Sequence, residues 1–194
     1  WRAPLLLIMI LIFFTFFTGG INIRIYAPTI FELAGLGNKD RGIMTVILGV
    51  MKVLSTFMAV IKIDEYGRRI FFLGGLFLMT CSAMILIIST SILLQEQIDN
   101  NNNGGKEGGG TCILCRGLVV LGCIGYTIAY QLSFGPGVFI LGSELFPPAI
   151  RGRLLGLQTL WGSVCLAITS EIFPFLISSL KLPGAFSFHL FACI

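Results

Sequence analysis

The chain has 194 residues, of which 56% are hydrophobic and only 11% charged. Soluble domains carry about 25% charged residues, and folding this chain around one core would leave more apolar surface than a soluble monomer tolerates. The composition excludes a soluble enzyme, a disordered tail and a nucleic-acid-binding module, and it makes a lipid bilayer the solvent. The net charge is +4, and most of the 13 Lys and Arg stand between apolar runs, which is how a membrane protein is punctuated.

A bilayer core about 30 Å thick calls for about 20 apolar residues in a helix. Residues 3–23 contain no charge, and their helix is expected to run on to residue 31. A second span is expected over 42–63, with Lys52 at its middle and Lys62 at its end. Residues 70–94 and 117–143 carry no charge, and 154–180 carry only Glu171. The stretch 185–194 is too short to cross and is expected to be the start of a sixth span. Between the third and fourth spans, residues 95–111 hold Asn100 to Asn103 and runs of glycine. Such a polar, low-complexity stretch buries too little to offset its ordering entropy, so a flexible loop is expected there. The chain opens on Trp1 and stops inside an apolar run, and it reads as part of something longer.

With these spans, one side of the membrane collects Arg2, Lys62, Arg68, Arg69, Arg151 and Arg153, and the other Lys39, Arg41, Lys106, Arg116 and Lys181. The two sides are nearly balanced. The first has the denser clusters and is expected to be cytoplasmic.

Cys81, Cys123, Cys165 and Cys193 fall inside apolar runs, where a thiol is usually a small buried hydrophobe. Cys112 and Cys115 have the spacing of a redox or zinc knuckle, yet a zinc site needs further ligands and the one histidine, His189, lies in the last apolar stretch. A local disulfide or two idle thiols is the expectation. With no nucleophile–base–acid constellation and no phosphate-cradling loop, no enzyme, no cofactor and no metal site are expected.

Several residues sit where a bilayer penalises them. Lys52 lies ten residues past Gly42, about 15 Å along a helix and close to the midplane. A lysine there costs roughly 2.5–3.5 kcal/mol on insertion scales, so it should face a partner or a watery cavity. It would bind an anionic or hydroxyl-rich solute or titrate during transport, or it marks a degenerated position in a chain that no longer transports. Arg24 and Glu171 are expected in the outer half of the membrane, where they could pair. Pro136 removes the hydrogen bond to the Leu132 carbonyl, so a kink is expected, either as a hinge lining a cavity or as a static packing bend.

Two loops on the Arg-rich side read Asp64-Glu65-Tyr66-Gly67-Arg68-Arg69 and Glu144-Leu145-Phe146-Pro147-Pro148-Ala149-Ile150-Arg151-Gly152-Arg153. With Gly20-Ile21-Asn22, Tyr26-Ala27-Pro28 and Gly135-Pro136, all in order, the chain closely resembles the sugar-porter branch of the major facilitator superfamily. The resemblance covers nearly the whole chain and corresponds to that family's carboxy-terminal six-helix half. It implies an all-α, polytopic membrane protein, half of a twelve-helix fold, with five full transmembrane helices and a truncated sixth. It implies transport of a hexose, pentose or polyol by alternating access around a midplane site.

The missing amino-terminal half and membrane lipid are then the expected partners, with a proton as coupling ion in some relatives and no nucleic acid. The location implied is an integral, multi-pass protein, of the plasma membrane rather than an organelle, with the Gly-Arg-Arg loop in the cytoplasm.

The family's gate residues map onto Asp64, Arg68, Arg69, Glu144 and Arg151, with Tyr26 and Pro136 on its kinked gating helices. Ion pairs of this kind suit a switch, because each is modest alone and can break when the halves rotate. The family's sugar-contacting positions map onto Asn22, Gln131 near the Gly-Pro, and Phe139 where a Trp is usual. Gln158 lies too near the cytoplasmic end to be favoured. The departures are as informative. Phe16 and Phe17 replace paired glutamines, Lys52 replaces an asparagine, and Gly162 replaces an amide, with Trp161 beside it as a candidate substrate contact. Intact gate motifs beside altered sugar positions leave two rivals to a transporter: a solute-binding receptor or regulator, and a truncated, non-transporting relative.

Overall fold

A computed structural model describes the backbone of residues 2–102 and 109–193. Side chains are described except at 2–3, 63–66, 68–69, 96–97, 99–102, 109–113, 180–182, 184–185, 188 and 190–193. The described residues form helices α1 (Arg2–Phe17), α2 (Gly20–Ile25), α3 (Ala27–Leu33), α4 (Asn38–Tyr66), α5 (Arg68–Asn102), α6 (Gly109–Leu145) and α7 (Arg151–Cys193). Five segments are long and apolar enough to cross a membrane: Pro4–Ile25, Asn38–Lys62, Ile70–Gln95, Leu114–Leu145 and Arg151–Ser179. Helix α5 runs through Gln95 to Asn102, well into the stretch expected as a loop. Extending a long helix by a few residues needs no new nucleation, and Gln95-Glu96-Gln97 are good helix formers.

The first span is broken rather than continuous to residue 31. Gly19 takes φ +77°, the left-handed conformation that glycine adopts without penalty, and α1 ends there. Tyr26, at φ −94° and ψ 8°, interrupts the chain again before Pro28, which cannot donate to the Arg24 carbonyl. Carbonyls freed by such breaks need partners at membrane depth. His189 Nδ1 donates to the Phe17 carbonyl at 2.9 Å, and the Tyr126 hydroxyl donates to the Thr18 carbonyl. The break is therefore stitched to two other helices.

Helix α7 cannot be straight. The Phe173 and His189 rings stack with centroids 5.3 Å apart, whereas sixteen residues of straight helix span about 24 Å. The chain doubles back between them, and Pro174 and Pro183 are the two positions in α7 that lack an N–H. Pro174 leaves the Ser170 carbonyl without its helical donor, and the Tyr26 hydroxyl supplies one at 2.9 Å.

Helix α6 is the axis of the bundle. In its spanning segment 61% of the apolar window is buried, against 17–33% in the other four. It packs most extensively on α5, where small residues let the backbones approach: Gly75 against Ser133, and Gly122 against Leu86. Helix α4 lies on another side of α6, and α1 packs along α7. The outward faces are apolar. Val46, Val50, Val53 and Phe57 on α4, and Leu160, Val164, Ile168 and Phe175 on α7, are exposed at helical spacing.

Candidate functional site

The broken first span, α4, α6 and α7 enclose a cavity of about 170 Å³. Its polar wall is Thr15, Arg24, Lys52, Tyr130, Gln131 and Gln158, with Phe16 and Phe139 among the apolar side chains. Lys52 stands at the middle of the 29-residue α4, about 21 Å from either end. A second cavity of about 420 Å³ runs along the N-terminal half of α4, past Thr45 and Gly49, and shares Ile21, Arg24 and Lys52 with the first. The two cations thus stand where the cavities adjoin.

Gln131 organises this wall. Its Oε1 accepts from Arg24 Nη1 at 3.2 Å, and its Nε2 donates to Thr56 Oγ1 at 2.7 Å, so one α6 amide ties α2 to α4. Gly135, one turn on, leaves room for this amide, because a Cβ there would lie 2.8 Å from Gln131 Oε1. Arg24 Nε also donates to the Gly20 carbonyl at 3.0 Å, and its guanidinium lies 5.3 Å from the centroid of the Tyr130 ring. Tyr130 can sit so close because Gly20 has no Cβ to occupy the ring's space. Gln158 is completely buried; its Nε2 donates to the Val138 carbonyl at 3.3 Å while its Oε1 has no partner. Lys52 is exposed along the wall.

The structure brings Lys52, Gln131 and Phe139 together and places the other expected contacts elsewhere. Asn22 is buried and ties α2 to α7 through Nδ2 to the Thr169 carbonyl at 3.1 Å, its Oδ1 unpartnered. Trp161 ties α7 to α1, donating from Nε1 to the Met9 carbonyl at 3.1 Å, while the adjacent Gly162 faces the cavity against Phe16. Tyr26 holds α7 at Ser170 and lies 5.1 Å from the Phe173 ring. Pro136 lies within α6. Glu144 and Arg151 are exposed at the end of α6 and the start of α7, where Arg151 Nε donates to the Phe146 carbonyl at 3.4 Å. The side chains of Asp64, Arg68 and Arg69 lie outside the described residues, as does that of Cys112.

The pairing considered for Arg24 does not form. Arg24 does not pair with Glu171: it turns to Gln131 and Tyr130, and Glu171 is exposed. Gln158, seven residues into the Arg151–Ser179 span, lines the cavity. Tyr130 was legible in principle, because Tyr130, Phe134 and Val138 share one face of α6 with Gln131. Arg24 was not, because the turn at Gly19 resets which way α2 faces.

Apolar spans and a polar cavity between broken helices define an integral, multi-pass membrane protein of the transporter class. Residues 1–194 match the family described as "Sugar (and other) transporter". The probable metabolite transport protein CsbC of Bacillus subtilis (strain 168) is 32% identical over 195 residues, covering 100% of this chain and 39% of its own. The arabinose-proton symporter of the same organism is 29% identical, covering 100% and 37%. The facilitated trehalose transporter Tret1 of Bombyx mori is 26% identical, covering 90% and 32%. The chain spans less than two fifths of the length of these curated relatives. It belongs to the sugar (and other) transporter family, the sugar-porter branch of the major facilitator superfamily.

Proposed function

We propose that this chain is the carboxy-terminal half of a transporter that moves a small polyhydroxylated solute, built on a hexose, pentose or polyol skeleton, by alternating access. The observation that carries the reading is the mid-depth cavity, where amides from α6 and α7 face an aromatic side chain across helices that are already broken. Amides give and accept the hydrogen bonds that hydroxyls need, and Phe139 offers a flat face to C–H groups. The solute binds between this half and an amino-terminal half, and one half then rocks against the other. The break at Gly19 and Tyr26 lets α2 and α3 move apart from α1, with the Tyr26 bond to Ser170 as one contact that opens. Asp64, Arg68, Arg69, Glu144 and Arg151 form the cytoplasmic clasp, lipid covers the apolar outer faces, and a proton is the coupling ion where the other half supplies a carboxylate.

The test is transport by the complete gene product in sealed liposomes, using labelled hexoses, pentoses, polyols and their acid derivatives. Saturable counterflow of at least one is expected. Saturable binding without flux would make the protein a receptor, and neither binding nor flux would overturn the reading altogether.

A further inference from the structure

Two cations wall the mid-depth cavity, and none of the described residues lining it is an Asp or a Glu. Among the described residues no carboxylate pairs with Arg24 or Lys52, although Arg41, at the membrane edge, pairs with Glu32 at 2.6 Å. Arg24 spends one donor on its own helix and one on Gln131, and the Lys52 ammonium makes no hydrogen bond among the described residues. Two like charges beside one small cavity repel each other, and more strongly as water is excluded. A neutral sugar relieves none of that repulsion. An anion does, and it would accept charge-assisted hydrogen bonds from both groups.

We infer that the polyhydroxylated solute carries an anionic group, as a sugar acid or a sugar phosphate does, and that this group is held between Arg24 and Lys52. This rests on the transport reading and narrows its substrate class. It also gives Lys52 a use: the helix that would otherwise bear a penalised charge presents it where the two cavities adjoin, on the path of an anion passing between them.

The experiment is binding and counterflow by the complete gene product, comparing glucuronate, gluconate and glucose 6-phosphate with glucose and sorbitol. At least one anion is expected to bind about tenfold or more tighter than its neutral counterpart, as charge-assisted bonds predict. Lys52→Gln should abolish that preference, and Lys52→Arg should keep most of it. Whether carboxylate or phosphate is the favoured group follows from the ranking of the three anions. Carriage of glucose or sorbitol with no preference for any anion overturns the inference and leaves the transport reading intact. Lys52-dependent binding of an anion without flux supports the anion site and overturns transport. The absence of all binding and flux overturns both. The wild-type comparison decides even where a variant fails to fold.

Discussion

Gln131 and Gln158 are both buried amides in one wall, yet they should respond differently to loss. Gln131 bonds Arg24 and Thr56, so Gln131→Met strands an arginine donor and a hydroxyl at membrane depth. A loss of about 1–3 kcal/mol is expected, read as a lower Tm in detergent, together with weaker solute binding. Gln158 has one long bond to Val138 and an unpartnered Oε1 packed against Gly142, so Gln158→Met should change Tm little. A drop in Tm as large as that of Gln131→Met would mean that the Gln158 amide holds α7 to α6. The amide character of both positions was legible in the sequence. Which amide bears more of the structure was not, because that depends on side chains more than a hundred residues away in Gln131's case.

Helix breaks in this chain come paired with donors from other helices, and the pairing can be measured. Pro174 frees the Ser170 carbonyl and Tyr26 satisfies it, so Tyr26→Phe should cost about 1–3 kcal/mol in the wild type. In a Pro174→Ala background the helix regains its own N–H at that carbonyl, and the same substitution should cost clearly less. A double-mutant cycle on thermal unfolding tests this, and simple additivity would mean that the hydroxyl answers no vacancy. At the other break, Gly19→Ala meets two penalties: a left-handed φ, worth about 1–2 kcal/mol, and a His189 ring where the new Cβ would go. A marked drop in Tm is expected, with uptake lost alongside. A variant that folds and transports normally would remove Gly19 from any hinge role. The prolines and glycines announced the breaks in the sequence. They did not announce Tyr26, Tyr126 and His189 as the groups that make those breaks tolerable.

At the scale of the whole molecule, the alternation of spans puts residues 2, 67 and 151–153 on one side of the membrane and 34–41 on the other. Single cysteines at Lys39 and at Arg153, in a background lacking native thiols, should react with a membrane-impermeant maleimide from opposite faces of intact cells. The Lys39 position is expected to label from outside, and the reverse result would invert the topology. The spans themselves were legible because hydropathy over about 20 residues reports burial in lipid whatever the helices pack against. The resemblance of five ordered motifs likewise sufficed for the family, which the match over residues 1–194 shows. Sequence by itself therefore determined the solvent, the five spans and the lineage. Only the tertiary structure decided the character of the site. Two cations far apart in the chain came to adjoin one cavity, the expected Arg24–Glu171 pair did not form, and Asn22 and Trp161 turned to neighbouring backbones. The physical reason is that lipid selects each residue by its own transfer free energy. A cavity selects by what several helices present together, and that depends on where each one bends.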